Sequence, residues 1–217
     1  QARVFNNTSG TSPGEVSRLW EREGLRCIEQ LRGRDLSQED YLVLMLDGIW
    51  LADDLCAIVA LGITLGGEKH ILDFQIGSSE NTEVCTDLLT RIEERGFKPQ
   101  RRLLVVTDGS KALRKGVRKK WPDAIVQRCL IHKERNIRGY LSRRHHAELK
   151  RLFTRLRKAE GIEAAEECVR ELRKFLKGKN AQALASLEEA SDELLAVHRL
   201  NAPSTLNTTL LNTNCIE

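Results

Sequence analysis

Two aspartates occupy matching settings in this sequence. Asp47 closes the apolar run LMLD, Asp108 closes VVTD, and a glycine follows each of them. A carboxylate at the end of a strand projects from the carboxyl edge of a sheet, where open α/β folds place their ligands. The glycine beside it lets the chain turn sharply and leaves room for a ligand. For either aspartate alone, a helix N-cap or a turn is the more common role. Two on neighbouring strands repel one another, so they need a cation or an elevated pKa. Ligands made only of oxygen favour Mg²⁺ or Mn²⁺. The pair therefore points to metal-dependent phosphoryl transfer. Cys129 and His132 form a CxxH pair. No further ligands stand at a spacing suited to zinc, and a buried thiol beside a partly satisfied imidazole is the plain structural reading. His145-His146 reads as a solvated face. Asp53, Asp54 and Asp73 fall in turns or mid-strand without a matching partner.

The elements that must position these residues are legible as changes of period. Ser12-Pro13-Gly14-Glu15 supplies an N-cap, a first-turn proline and a capping-box glutamate. The helix that follows, with Val16, Leu19, Trp20, Leu25 and Ile28 at helical spacing, ends near Gly33. It is either a packing helix or the last helix of a helix-turn-helix module. Tyr41–Leu46, Leu55–Leu65 and His70–Ile76 read as strands, with turns at Asp53-Asp54 and Gly66-Gly67. Asn81–Arg95 is an amphipathic helix stopped by Gly96. A fourth strand, Leu103–Thr107, runs into Asp108-Gly109 and a helix through Lys120; a fifth, Ala124–Cys129, leads into a helix over Ile131–Leu141. The order β-β-β-α-β-α-β-α implies an α/β layer with a mixed sheet. From His145 to about Arg199 the chain is helical and charged, and Pro203 breaks it. The expected organisation is an N-terminal helical segment (1–40), a core (41–144), a helical insertion (145–202) and a return to the core (203–217). Trp50 is expected in the core, and Trp121 as a packing anchor.

Composition narrows the class. At 217 residues with 41% apolar residues, a single core suffices without staples. Six scattered cysteines with no CxxC pair suit reduced thiols. The longest apolar run, Leu55–Leu65, is too short to span a bilayer, so no membrane role is indicated. The net charge of +4 hides an asymmetry: Lys98 to Lys158 holds twenty Lys/Arg against four acids. Such a surplus invites nucleic acid through phosphate contacts, with solvated surface helices as the alternative. Lys111, Arg114, Lys115, Arg118, Lys119, Lys120, Arg143 and Arg144 are the candidate phosphate contacts.

Four motifs in order carry a resemblance: LDGIW (46–50), VVTDGSKAL (105–113), CLIH (129–132) and NTNCIE (212–217). They resemble the Mutator superfamily of transposases, in its bacterial insertion-sequence branch, and span the chain from residue 41 to its end. The resemblance implies a ribonuclease-H-like fold with an all-helical insertion between the second aspartate and a glutamate. It implies that Asp47, Asp108 and Glu217 form a DDE-type acidic triad holding two divalent cations, Mg²⁺ or Mn²⁺, about 3.5–4 Å apart for in-line displacement at phosphorus. Glu217 enters on this resemblance. The implied activity is DNA strand cleavage at terminal inverted repeats and transfer of the 3′ ends into target DNA, with self-association, in the cytoplasm at the nucleoid. Cys129 and His132 carry over as active-site architecture or a DNA contact, not as a metal site. In related transposases the glutamate opens a further helix, so the sequence is expected to be an excerpt or a decayed remnant. A remnant would be a non-catalytic chain that binds DNA or full-length transposase. A host ribonuclease-H-type nuclease is the third reading, disfavoured by the helical insertion and the closing TNCIE.

Overall fold

The computed structural model describes residues 12–77 and 82–216. The chain divides into two compact units, residues 1–35 and 36–217. The first contains helix α1, Pro13–Gly33. Its start is set by the expected capping box: Ser12 Oγ accepts from the Glu15 amide at 3.3 Å, and Glu15 Oε2 accepts from the Ser12 amide at 2.8 Å.

In the second unit the strands are β1 (Tyr41–Ala52), β2 (Leu55–Thr64), β3 (Lys69–Gly77), β4 (Leu104–Thr107) and β5 (Ile125–Arg128). They form one mixed sheet in the order β3-β2-β1-β4-β5. β1, β2 and β3 form an antiparallel meander, while β4 and β5 add in parallel. Helices α2 (Thr82–Glu94) and α3 (Lys111–Lys120) supply the crossovers, which parallel strands require. Helix α4 (Leu130–Gly139) follows β5 directly. The helical region beyond it contains α5 (His146–Arg157), α6 (Gly161–Leu176), α7 (Ala181–Glu188) and the short turns α8 (Ser191–Leu194) and α9 (Ala196–Arg199). A last turn, α10 (Asn207–Leu210), brings the chain back.

The sheet is buried on both faces because β1 and β4 alternate apolar side chains between two cores. Leu44, Leu46 and Val105 pack with Leu88, Leu89, Ile92, Leu113 and Val117 of α2 and α3. Val43, Met45, Leu104 and Val106 face Leu130, Ile137, Phe153 and Leu172 of α4–α6, together with Leu210 and Leu211. Each such fully buried side chain contributes roughly 1.5–3 kcal/mol. Gly96 ends α2 at φ +94°, and a Cβ there would stand 2.7 Å from Ser37 Cβ. Only glycine lets the chain pass so close.

Three expectations are corrected. β1 does not stop at Leu46: it continues to Ala52, because its antiparallel pairing with β2 outlasts its pairing with β4. Asp47 therefore lies inside the strand, at the point where the parallel ladder ends. Trp50 is not core but 57% exposed, on the part of the β1–β2 hairpin beyond β4. His145 and His146 are half-buried rather than a freely solvated face. The His145 ring meets Phe175 edge-on at 6.1 Å, and His146 Nε2 lies 2.9 Å from the Leu141 carbonyl. Trp121 is a packing anchor, edge-on to Phe97 at 5.4 Å.

Candidate active site at the carboxyl edge of the sheet

The parallel register assembles the site. Leu46, Thr107 and Arg128 are paired across β1, β4 and β5, so the next residues in each chain are Asp47, Asp108 and Cys129. The three motifs thus reach the same edge in one row, with neighbouring strands about 4.8 Å apart. Asp47 is 1% exposed and its Oδ1 accepts from the Gly48 amide at 3.2 Å. Asp108 is half-buried, and its Oδ1 accepts from the Ser110 amide at 2.8 Å and the Thr107 hydroxyl at 3.2 Å. Ser110 in turn caps α3. Asp108 therefore shapes the strand-to-helix turn as well as presenting a carboxylate.

Cys129 is fully buried, and His132 Nδ1 lies 3.2 Å from its sulfur and 4.0 Å from Asp47 Oδ1. The one turn of α4 between them makes this contact automatic for a CxxH spacing. The contact with Cys129 raises the His132 pKa to about 9 against the opposing effect of burial, and the charges of Asp47 and Asp108 push the same way. Burial alone would raise the Cys129 thiol, but hydrogen bonding to His132 overcomes it and the net shift is downward. Both shifts run toward the charged form of each group, and the His132 ring is a positive group beside the aspartates.

The chain after α10 is pinned to this cluster. The Leu130 amide donates to the Leu211 carbonyl at 2.9 Å, and the Thr213 hydroxyl lies 3.6 Å from Cys129 Sγ and 3.4 Å from His132 Nδ1. Cys215 Sγ is 3.1 Å from Met45 Sδ, two residues before Asp47, and Ile216 packs on the core. Thr213 is the residue that reading the motifs one by one misses. Its signal lay in the NTNCIE stretch itself, where the other motifs supply its partners. Glu217 lies outside the described residues.

A second network backs the Asp108 turn. Gly109 has φ +101°, and a Cβ there would fall 2.3 Å from Arg128 Nη1. Arg128 is 2% exposed; its Nη1 donates to Glu189 at 3.1 Å, and Nε and Nη2 donate to Glu193 at 3.1 and 2.8 Å. Lys133, also 2% exposed, donates to Glu189 Oε1 at 2.7 Å. Gln127 joins β5 to the same helices, donating to the Leu194 carbonyl and accepting from the Val197 amide. The helical region is thus fastened to the carboxyl edge of the sheet through β5.

The basic candidates divide into two groups. Arg114 and Arg118 are engaged by Glu193 and Lys120 by Glu93, within the fold. Lys111, Lys115 and Lys119 are exposed on α3, while Arg143 and Arg144 are exposed on a turn before α5, beside the opposite core. Asp73 is buried and held by Arg91 at 3.1 Å and Arg95 at 3.4 Å, a structural ion pair.

Among the described residues no three His, Cys, Asp or Glu side chains form a metal-holding group. Asp47 and Asp108 contribute two neighbouring carboxylates, the hard oxygen donors that Mg²⁺ or Mn²⁺ requires. No helix among the described residues is long and apolar enough to cross a membrane.

Known proteins are similar to this chain over most of its length. The chain is 33% identical to the transposase for insertion sequence element IS905 of Lactococcus lactis subsp. lactis over 186 residues, 83% of this chain and 46% of that protein. It is 30% identical to the transposase for element IS6120 of Mycolicibacterium smegmatis over 223 residues, 99% of this chain and 67% of that one. It is 27% identical to the transposase for element IS256 in transposon Tn4001 of Staphylococcus aureus, over 88% of this chain and 50% of the relative. The chain thus spans about half to two thirds of the length of these relatives. The model of the family described as "Transposase, Mutator family" matches residues 2–217, the stretch that holds all four motifs, and the chain belongs to that family.

Proposed function

We propose that this chain is the catalytic part of an insertion-sequence transposase of DDE type. In this reading the sheet has the ribonuclease-H-like order, and Asp47, Asp108 and Glu217 act on the phosphodiester backbone of DNA at the element's terminal inverted repeats. The observation that carries the reading is the register row: Asp47 and Asp108 directly follow the last paired residues of two adjacent parallel strands, at the edge where the 211–216 segment is pinned. Divalent cations bound there would supply Lewis-acid stabilisation of the oxygens that attack and leave phosphorus. The residues of the chain do the rest. Asp47 and Asp108 hold fixed negative charge at the edge, and the Thr107 and Ser110 contacts keep the Asp108 carboxylate in one orientation. The imidazolium of His132 sits beside that negative charge and limits its self-repulsion. Thr213, through Cys129 and His132, holds the strand of chain that leads to Glu217.

The test is nicking and strand transfer on DNA carrying the element's ends, with the chain assayed both alone and within its full reading frame. Cleavage should require Mg²⁺ or Mn²⁺, and Asp47→Asn or Asp108→Asn should each lower it at least 100-fold, on the order of the loss when one charge-stabilising group is removed. Unchanged cleavage in either variant sinks the proposal. DNA binding without any cleavage in the full frame would instead assign the chain a binding role.

A further inference from the structure

A cavity of about 540 Å³ opens beside the Asp108 turn, outside the carboxylate site. Gly109 forms one wall. Arg128 and Lys133 lie at its floor, the exposed Tyr140 and Asn136 stand at its rim on the α4 side, and Glu189 closes the far side from the helical region. Its size suits one small molecule or one nucleotide rather than a duplex.

The charges around it do not balance. Arg114, Arg128 and Lys133 share only two carboxylates, Glu189 and Glu193. Two of those cations are at least 97% buried and lie against the floor, so the surplus is fixed in place and poorly screened. Arg135 adds an exposed cation at the rim. The field attracts an anion, and the neutral groups add features a bare phosphate does not need. Tyr140, an aromatic residue 45% exposed, and Asn136, with an amide that both donates and accepts, stand at this rim. An aromatic platform, an amide and a cationic floor together are what an unstacked nucleotide uses: stacking for the base, edge hydrogen bonds and phosphate attraction. Gly139 also lines this rim, and the space beside it is open: a Cβ there would meet nothing within 4 Å.

We infer that this cavity receives a single nucleotide of the DNA strand, unstacked from its neighbours, with its base on Tyr140 and its phosphate over the Arg128–Lys133 floor. The inference rests on the reading of DNA as substrate and adds how the strand is gripped. Because the wall begins one residue after Asp108, the nucleotide held there would flank the phosphate presented to the aspartates.

The probe is a fluorescein-labelled single strand of six thymidylates, followed by anisotropy at low salt with EDTA present, so that metal and cleavage play no part. Tyr140→Ala should weaken binding about tenfold, within the range of base-on-aromatic stacking. Tyr140→Phe should bind as the parent does. Gly139→Leu, which adds an apolar side chain to the cavity lining at a point where a Cβ meets nothing within 4 Å, should also weaken binding. Amide resonances of Gly109, Gly139 and Ser186 should shift on titration. Tyr140→Ala binding as tightly as the parent overturns the inference, as does equal affinity for an abasic strand of the same length. In those cases the proposed transposase chemistry stands, because duplex binding and metal-dependent cleavage do not depend on this result. Failure of the chain and of its full-length protein to bind any DNA overturns both.

Discussion

Gly109→Ala is the change that most directly tests how the Asp108 turn is built. A non-glycine residue at φ +101° occupies a conformation that costs about 1–3 kcal/mol. The added Cβ also meets Arg128 Nη1 at 2.3 Å and Cδ at 2.4 Å. A flexible side chain would swing away, but this guanidinium is held by Glu189 and Glu193 through three hydrogen bonds. Forcing it aside is an overpacking event of roughly 1–3 kcal/mol. The combined loss should be about 3 kcal/mol, measured by urea unfolding of parent and variant under identical conditions. The steric part is separable by a double-mutant cycle with Arg128→Ala. In that background Gly109→Ala should cost only its backbone strain, so the coupling should be about 1–2 kcal/mol and show the variants to be non-additive. Equal costs in both backgrounds, within about 0.5 kcal/mol, would show that Arg128 is not the wedge behind Gly109. A loss below about 0.5 kcal/mol in the parent background would show that the turn relaxes freely.

His132 should titrate near pH 9 by NMR of its ring protons, and Cys129→Ser should bring its pKa down toward the ordinary range. The sign follows from the raised folded-state value. The His132 contribution to stability is fully present below about pH 6.5, the unfolded value, and is lost as the pH rises through about 9. The lowered Cys129 thiol contributes with the opposite sign and loses its share as the pH falls. A His132 resonance that titrates near 6.5 in the folded chain would remove this account of the Cys129–His132 contact. Asp73→Ala should cost about 3–5 kcal/mol in urea unfolding, because it leaves Arg91 and Arg95 facing a site that has lost its buried carboxylate. A change under about 1 kcal/mol would mean that solvent reaches the two arginines once Asp73 is gone.

Local signals in the sequence were enough for the elements. The capping box at Ser12, the apolar run into Asp47, the Gly96 stop and the amphipathic α2 all depend on residues within one turn or one strand, where sterics and hydrogen bonding act directly. Asp47 and Asp108 were legible as a pair for the same reason, since each ends an apolar run before a glycine. Their adjacency is a matter of register, and register is a contact between segments 61 residues apart. Charge pattern was less informative. Arg114, Arg118 and Lys120 look like free cations in sequence, yet the fold supplies each with a carboxylate from a distant helix. Trp50 was misplaced because an apolar residue after an apolar strand resembles core, whereas the hairpin runs past the end of β4 and leaves it in solvent. The Arg128 network and the cavity beside Gly109 had no local signal, and Thr213 showed only as part of the NTNCIE stretch, not through its contacts. Each brings β5 or the start of α4 to a distant segment, the helical region for the first two and the stretch after α10 for Thr213, up to 84 residues away. The sequence by itself thus determined which residues could carry the chemistry and which elements bear them, because those are short-range effects. Only the tertiary structure decided which of them meet, because that depends on strand register and on how the helical region docks.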